Sequence, residues 1–465
     1  MQASPFTRPY VVSWNLTYRC NLACEHCYLD AGARPQVDTE SFADRSELDT
    51  EGCFRIIDEL AAFAPECLTI LTGGEPLLRR DILEIVGRAS DRGLWVVVGT
   101  NGVRVTENLA TRLADAGARG LSLSLDALDP DRHDRFRRVR GAWENTVAGA
   151  GILHRTGLPF IVQTTVGSHN LGELEAIADF AHDRLAAKVW NLYFLVPTGR
   201  GQFVSDITPE QYDAVLASLH RIQRKYDRRM LVNAKCAPHY VKTVLERAGE
   251  ATDPVATDAD PAKPPAWPGT SPIRTYSGGA GGCPAGTHYM GIRPNGDVTP
   301  CPYLPVFAGS LRSSSLADLW TSSELFTDIR RRTALGGRCG ACEMNSHCGG
   351  CRARAYGMTG DLMAEDPLCT HTPGTLNESA LLALRARGAA PGRPEPRAIE
   401  YGRDSTATIA WDEAAAERMK RIPVFVRGMV IGAVEDTCRK NGLDRVTVEE
   451  LERIRARMPT PKIFG

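Results

Sequence analysis

The sequence predicts an α/β protein built around a largely parallel β-sheet. Strand and helix patterns alternate along about the first 200 residues, as expected of βα units. Two groups of cysteines accompany this alternation: three directly follow the first strand pattern, and seven more lie between Cys283 and Cys369. The chain therefore combines a parallel α/β unit with cysteine-rich segments.

The alternation begins with YVVSWNLT at residues 10–17, a strand pattern that leads directly into the first three cysteines. The predicted elements that follow are a helix at 46–64, a strand at 67–74, a helix at 79–93, a strand at 94–102, a helix at 106–117, and strands at 120–127, 160–166 and 188–196. In closed or nearly closed βα barrels, the loops at the carboxyl ends of the strands line one rim. The cysteine loop, GGEP at 73–76, GTNG at 99–102 and SLDA at 124–127 are therefore expected to meet there.

Composition limits the classes of function. The chain has 465 residues, 43% of them hydrophobic, and a formal charge of -1. This balance argues against general nucleic-acid binding, which needs a basic surface. The N-terminus lacks a signal-peptide pattern, and no apolar run approaches the roughly 20 residues that span a bilayer. We expect a cytoplasmic protein without a membrane or nucleic-acid partner, in which the 14 cysteines serve metal binding or catalysis rather than disulfides.

Cys20, Cys24 and Cys27 are spaced C-x3-C-x2-C, and no fourth cysteine follows until Cys53. Three thiolates on one loop can hold a cubane iron–sulfur cluster by three irons, which leaves the fourth iron open to a small molecule. A structural zinc site with a distant fourth ligand is the alternative that the spacing leaves open. The glycine-rich rim favours the cluster, because it suits a bound nucleoside.

This spacing, with the aromatic Tyr28 after the last cysteine and GGEP on the second strand, resembles the radical S-adenosylmethionine (radical SAM) superfamily. The resemblance implies a partial (β/α)6 barrel and a 4Fe–4S cluster on Cys20, Cys24 and Cys27 with SAM on its open iron. Reductive cleavage of SAM would then give a 5′-deoxyadenosyl radical that abstracts a substrate hydrogen. The cysteines would be the catalytic and metal-binding residues.

Several rim residues are candidates for cofactor contacts by the same resemblance. Gly73 and Gly74 would let the backbone approach the methionine amino group, with which Glu75 would pair. Ser124 and Asp126 would reach the ribose or the methionine carboxylate. The full predicted cofactor-binding set is Tyr28, Gly73, Gly74, Glu75, Asn101, Ser124, Asp126, Thr165 and Asn170. By itself, each short stretch is also typical of an ordinary turn.

The second cysteine group exceeds what one tetrahedral site needs, although its two C-x2-C pairs alone would suggest a zinc ribbon. It resembles the SPASM extension of radical SAM enzymes, which carries auxiliary 4Fe–4S clusters. By analogy, Cys339, Cys342, Cys348 and Cys369 close one cluster, and Cys283, Cys301 and Cys351 contribute to another. The spacing C-x5-C-x2-C is one residue shorter than the family pattern, and the usual upstream fourth ligand is missing. That cluster is therefore absent, uses the distant Cys236, or leaves an iron open.

Five regions follow from these patterns. They are a radical SAM barrel at 8–250, a linker at 251–282, a SPASM-like domain at 283–385, a linker at 386–404, and a helical unit at 405–465. The last unit resembles the PCP-reductase domain of a light-independent protochlorophyllide reductase subunit. Its pattern predicts helices broken at Pro423 and a last helix begun by a capping box of Thr447 and Glu450.

Patches between residues 193 and 357 resemble the radical SAM branch that modifies iron tetrapyrroles in haem d1 and alternative haem b biosynthesis. Arg200 is expected to pair with a substrate carboxylate, whereas His239 and His288 are expected to be ordinary polar side chains. A ferredoxin or flavodoxin would supply electrons. The alternatives are a radical SAM/SPASM maturase of a peptide, protein or tungsten enzyme, and a non-enzymatic electron-transfer protein, against which the glycine-lined rim counts.

Overall fold

The structure is a computed structural model. It describes residues 8–32, 36–37, 44–65, 67–204, 207–226, 229–247, 282–378, 380–382, 409–420, 430–431, 434–435 and 437–457. The predicted linker at 386–404 and the predicted helix break at Pro423 lie outside the described residues, as does the linker at 251–282 except for Gly282.

A ten-stranded sheet forms the centre of the fold. Its strands are β1 Val11–Asn15, β2 Leu68–Thr72, β3 Trp95–Gly99, β4 Leu121–Ser124, β5 Phe160–Val166, β6 Val189–Phe194, β7 Leu231–Lys235, β8 Tyr289–Ile292, β9 Asp297–Thr299 and β10 Gly309–Ser310. Strands β1 to β7 are neighbours in chain order and run parallel, and β8 pairs in parallel with the other side of β1. This confirms the α/β class, with a parallel run longer than the six strands that the resemblance implied.

Helices connect the parallel strands, and all of them except Pro130–Arg137 contribute residues to one hydrophobic core with the strands. They are Thr50–Phe63, Ile82–Asp91, Glu107–Asp115, Pro130–Arg137, Ala142–Thr156, Leu174–Asp179, Pro209–Lys225 and Tyr240–Glu246. Local sequence sets their ends: the Asp49 side chain caps the first of them by accepting a hydrogen bond from the amide of Gly52. Thr208 and Gln211 form a complete capping box before the Pro209 helix.

The cysteine-rich region continues this sheet instead of standing apart from it. Strand β9 runs antiparallel to β8, and β10 runs antiparallel to β9. Met290, Ile292 and Val298 belong to the same hydrophobic core as β1 and the helix Thr50–Phe63. The helices of the region are Leu316–Ser322, Glu324–Arg330, Gly337–Ala341 and Arg352–Thr359.

The C-terminal unit has a small hydrophobic cluster that includes Cys438, Val446 and Ile454. Its helices Glu413–Lys420 and Val448–Arg457 accompany a parallel pair of two-residue strands, Ala410–Trp411 and Arg445–Val446, which the sequence did not predict. The predicted cap is partly seen, since the Glu450 amide donates to Thr447 Oγ1 at 3.2 Å.

Among the residues that the structure describes, no helix is both long enough and apolar enough to cross a bilayer.

Candidate functional site

The three N-terminal cysteines lie on the loop that leaves the carboxyl end of β1. Each is partly exposed, and each lies close enough to the others to influence their ionisation. Burial and the neighbouring thiol of Cys24 raise the pKa of Cys20 to about 12. The amides of Leu22 and Ala31 donate to the sulfurs of Cys20 and Cys27 at 3.4 and 3.3 Å. Such donors tune the potential of a thiolate-bound cluster.

The spacing of these sulfurs distinguishes between the two kinds of metal site. Thiolates around one zinc ion at a Zn–S distance of about 2.3 Å must lie within about 4 Å of one another. In the described part of the chain, the only group of three or more metal-ligating side chains within 4.8 Å of one another is Cys342, Glu343 and His371. The sulfurs of Cys20, Cys24 and Cys27 do not all lie within this distance, which is the spacing expected of ligands to a larger cluster and not of ligands to one zinc ion.

The GGEP loop after β2 packs directly against the cysteine loop. A Cβ on Gly74 would lie 2.3 Å from the carbonyl oxygen of Arg19, and one on Gly73 would lie 2.8 Å from that of Thr17. The amide of Gly74 donates to the Thr17 carbonyl at 2.8 Å. These glycines thus permit the two loops to touch, while their predicted approach to methionine stays a prediction.

The Glu75 carboxylate has partners within the chain, and its predicted pairing with the methionine ammonium stays a prediction. Its side chain is fully buried and accepts hydrogen bonds from the amides of Leu77 and Asn101 and from the hydroxyl of Thr100, at 2.9–3.0 Å. Burial raises its pKa to about 7. Glu75 thus joins the loop after β2 to the loop after β3.

Asp126 likewise has partners within the chain, and its predicted contact with SAM stays a prediction. Its carboxylate accepts from Arg137 Nε at 2.7 Å and from the amide of Thr165 at 2.8 Å. Burial alone would raise the pKa of Asp126, but the guanidinium of Arg137 holds it at about 2. Arg137 Nη1 also lies 3.6 Å from Cys24 Sγ. It places a buried positive charge against a candidate cluster thiol.

The sequence analysis missed Arg137. The only signal was its position in the basic stretch DRHDRFRRVR, which follows the SLDA loop. That stretch is also typical of a solvent-exposed helix face. Only the structure shows that Arg137 is buried, with 7% of its surface exposed.

The remaining predicted rim residues divide into two kinds. Asn101 Nδ2 donates to Asn21 of the cysteine loop at 2.9 Å, and Asn170 Nδ2 donates to the carbonyls of Asp126 and Thr165 at 2.8 Å, so both amides hold loops. The side chains of Ser124 and Thr165 are half-buried at the ends of β4 and β5. Their predicted cofactor contacts stay predictions.

Arg200 supports the cysteine loop, and its predicted pairing with a substrate carboxylate stays a prediction. Its side chain is 2% exposed and forms an ion pair with the fully buried Asp30 at 2.8 Å. Its Nε and Nη1 also donate to the carbonyls of Cys24 and Ala31, at 2.9 and 2.8 Å. The guanidinium therefore holds the cysteine loop by three contacts.

We expect Arg200→Ala to lower the free energy of unfolding by about 3–5 kcal/mol, because it leaves the Asp30 carboxylate buried without its partner. Iron retention should fall with it. The matched control is Arg155→Ala, which removes an exposed pair with Glu107 and should cost about 0–1 kcal/mol. Denaturant titration of anaerobically purified protein measures the free energy of unfolding of both variants. An equal decrease in the two would contradict the structural role of Arg200.

The second cysteine group forms two separate sets. Cys339, Cys342, Cys348 and Cys369 line one cavity of about 430 Å³, beside His239 and His371. Cys283, Cys301 and Cys351 lie together in a different hydrophobic cluster. His239 and His288 are buried among ordinary partners, with His239 Nδ1 3.1 Å from the Tyr212 hydroxyl and His288 Nδ1 2.9 Å from Thr287 Oγ1.

Tyrosines occupy the interior between the N-terminal cysteine loop and the Cys283 set. The ring of Tyr28 lies 4.6 Å from that of Tyr303, which lies 6.3 Å from that of Tyr193. The Tyr28 hydroxyl donates to Asn15 Oδ1 at 2.7 Å. Tyr28 and Tyr303 line a cavity of about 220 Å³ together with Arg293. Cofactor contact by Tyr28 stays a prediction.

Three family models match the chain. The radical SAM superfamily matches residues 14–181, an iron–sulfur cluster-binding domain of the SPASM type matches 283–351, and the proto-chlorophyllide reductase 57 kD subunit matches 411–455.

Proteins similar over most of the chain include the AdoMet-dependent heme synthase of Methanosarcina barkeri, which is 36% identical over 79% of this chain and 97% of its own length. The pre-heme d1 synthase of Dinoroseobacter shibae is 32% identical over 81% of this chain and 90% of its own length. The PqqA peptide cyclase of Rhizobium meliloti is 27% identical over 78% of this chain and 88% of its own length. Among solved structures, Streptococcus suis SuiB bound to S-adenosylmethionine has a TM-score of 0.57 at 16% identity, with 78% of each chain covered. That likeness shows the fold.

Proposed function

We propose that the substrate of this chain is an iron tetrapyrrole of the haem d1 or haem b type. The chain belongs to the radical SAM superfamily and is an enzyme that uses SAM. Similarity to the heme synthases carries this proposal. Three such proteins are 34–36% identical over 78–79% of this chain and 87–97% of their own length. The match of residues 411–455 to a subunit of a tetrapyrrole reductase supports the same substrate class.

The tyrosine-lined cavity supports a flat aromatic substrate. The faces of Tyr28 and Tyr303 are suited to stack on a conjugated ring. Arg293, whose side chain is 5% exposed, lines the same cavity and would place a guanidinium near an acidic side chain of the substrate. The space that these residues enclose is too small for a whole tetrapyrrole, so we propose that one edge of the macrocycle enters.

The chain's own residues would hold and surround the cofactors. Cys20, Cys24 and Cys27 would bind the 4Fe–4S cluster, and the Arg137 charge beside Cys24 would stabilise the thiolate form. With SAM bound, that cluster supplies a 5′-deoxyadenosyl radical capable of abstracting hydrogen. The half-buried rings of Tyr28, Tyr193 and Tyr303 would limit the access of water to this reactive space. The SPASM region binds auxiliary iron–sulfur clusters. A ferredoxin or flavodoxin is the proposed electron donor.

The test uses the anaerobically reconstituted full chain with SAM, a chemical reductant and iron coproporphyrin III. We expect 5′-deoxyadenosine to form in proportion to a loss of mass from the tetrapyrrole, because each hydrogen abstracted from the substrate converts one 5′-deoxyadenosyl radical into one 5′-deoxyadenosine. The matched control is the iron-free porphyrin.

Release of 5′-deoxyadenosine without any change in the tetrapyrrole would contradict the substrate assignment. A modified peptide in the same assay would favour the alternative of a peptide or protein maturase, for which the similarity to PqqA peptide cyclases is the specific support.

A further inference from the structure

Cys236 is the cysteine whose role the sequence left open, since the second auxiliary cluster could use it, lack a fourth ligand or be absent. It directly follows β7, about 50 residues before Cys283 and on the far side of the segment 251–281. The fold nevertheless brings it to the hydrophobic cluster that contains Cys283, Cys301 and Cys351. The question is whether this proximity is incidental packing or a ligand position.

The thiols of the four residues form a connected set. Cys283, Cys301 and Cys351 belong to one buried cluster, and the half-buried Cys236 packs against it. Within this set, Cys351 lies close enough to Cys236 and Cys283, and Cys301 close enough to Cys283 and Cys351, for the neighbouring thiols to affect their pKa values. Four cysteines in one cluster match the ligand count of a fully coordinated 4Fe–4S cluster.

The backbone around Cys236 is fixed to that around Cys351. Arg354 Nη2 donates to the carbonyl of Cys236 at 2.9 Å, and Arg354 Nη1 pairs with Asp366 at 3.0 Å. The same Asp366 oxygen accepts from the amide of Cys351 at 2.7 Å. Arg354 and Asp366 are both fully buried. One ion pair therefore clamps the two cysteines together.

Cys236 also has an uncommon backbone conformation for a residue with a side chain. Its φ is 57°, in the left-handed region that few non-glycine residues adopt. Such a conformation persists where the surroundings impose it, and it clusters at functional sites. Here it turns the chain from β7 toward the Cys283 set.

We infer that Cys236 is the fourth ligand of the auxiliary cluster held by Cys283, Cys301 and Cys351. With four thiolates, this cluster has no open iron and offers substrate no coordination site. Substrate would then bind in the tyrosine-lined cavity and not on this cluster. The ligand assignment does not depend on the tetrapyrrole proposal, because it concerns metal content alone.

The first test compares Cys236→Ala with wild type after anaerobic reconstitution of the full chain. We expect either a 3Fe–4S signal by EPR or the loss of one cluster's iron and sulfide, with the SAM-binding cluster unaffected. Any cluster that survives with an open iron should change its EPR signal on addition of cyanide, whereas the wild-type auxiliary signals should not. The control is Cys67→Ala, which removes a buried thiol at the start of β2. Iron, sulfide and EPR signals equal to wild type would overturn the assignment.

A second measurement needs no variant and so covers the case in which Cys236→Ala does not fold. Iodoacetamide labelling and peptide mass spectrometry are applied to wild-type protein before and after removal of the clusters. The Cys236 thiol is half-buried and is expected to be protected in the loaded protein and alkylated in the cluster-free protein. Equal alkylation in both states would overturn the assignment.

Discussion

Cys24→Ala is expected to eliminate SAM cleavage, with no 5′-deoxyadenosine above the uncatalysed background. Removal of this thiolate takes away one of three ligands on the N-terminal loop and the partner of Arg137 Nη1 at 3.6 Å. The SAM-binding cluster should then be lost or no longer be held where SAM can bind it productively. Iron should fall by the amount of one cluster, while the sheet, whose core does not include Cys24, stays folded. Chromatography of the reaction and iron analysis measure the two effects.

The matched control for this variant is Cys53→Ala, which removes a thiol that is 1% exposed within the helix Thr50–Phe63. It should keep both full iron content and SAM cleavage. Turnover of SAM by Cys24→Ala at the rate of this control would defeat the assignment of the N-terminal cysteines.

Cys342→Ala is expected to separate SAM cleavage from product formation. Cys342 lines the cavity of Cys339, Cys348 and Cys369, so its loss should remove iron from one auxiliary cluster only. Uncoupled release of 5′-deoxyadenosine should persist, because the N-terminal cysteine loop is intact, while modified substrate falls below detection. Iron analysis and product mass spectrometry of the same reaction give both readings.

His371 complicates this variant, since a ligand atom of Cys342 lies within 4.8 Å of ligand atoms of Glu343 and His371. The double variant Cys342→Ala/His371→Ala removes a nearby substitute ligand, and Cys438→Ala in the C-terminal cluster is the control. Wild-type iron content in the double variant would show that Cys342 is not a ligand.

The parallel sheet was predictable because its strands carry a strong apolar pattern. The sequence placed β5 at residues 160–166, and the structure has Phe160–Val166. The cysteine loop could be placed at a strand end for the same reason. Strand β7, LVNAK, was missed because its polar residues obscure the pattern.

The individual rim residues were less predictable. Glu75, Asp126 and Arg200 stand at strand ends near the cofactor site, and their charges suggested contacts with ligand. A buried charge is costly unless it is paired, so the fold uses these side chains to fasten its own loops. Cys236 could not be assigned from spacing, because its neighbours Cys283 and Cys351 are distant in the chain and only the folded sheet brings them close.

EPR spectroscopy of the reduced, anaerobically reconstituted protein, recorded with and without SAM, tests the central claim most directly. The account predicts that SAM changes the signal of one cluster, the one on Cys20, Cys24 and Cys27, and leaves the auxiliary signals unchanged. A spectrum that does not change when SAM is added, or a single zinc ion bound by these three thiolates, would contradict this claim.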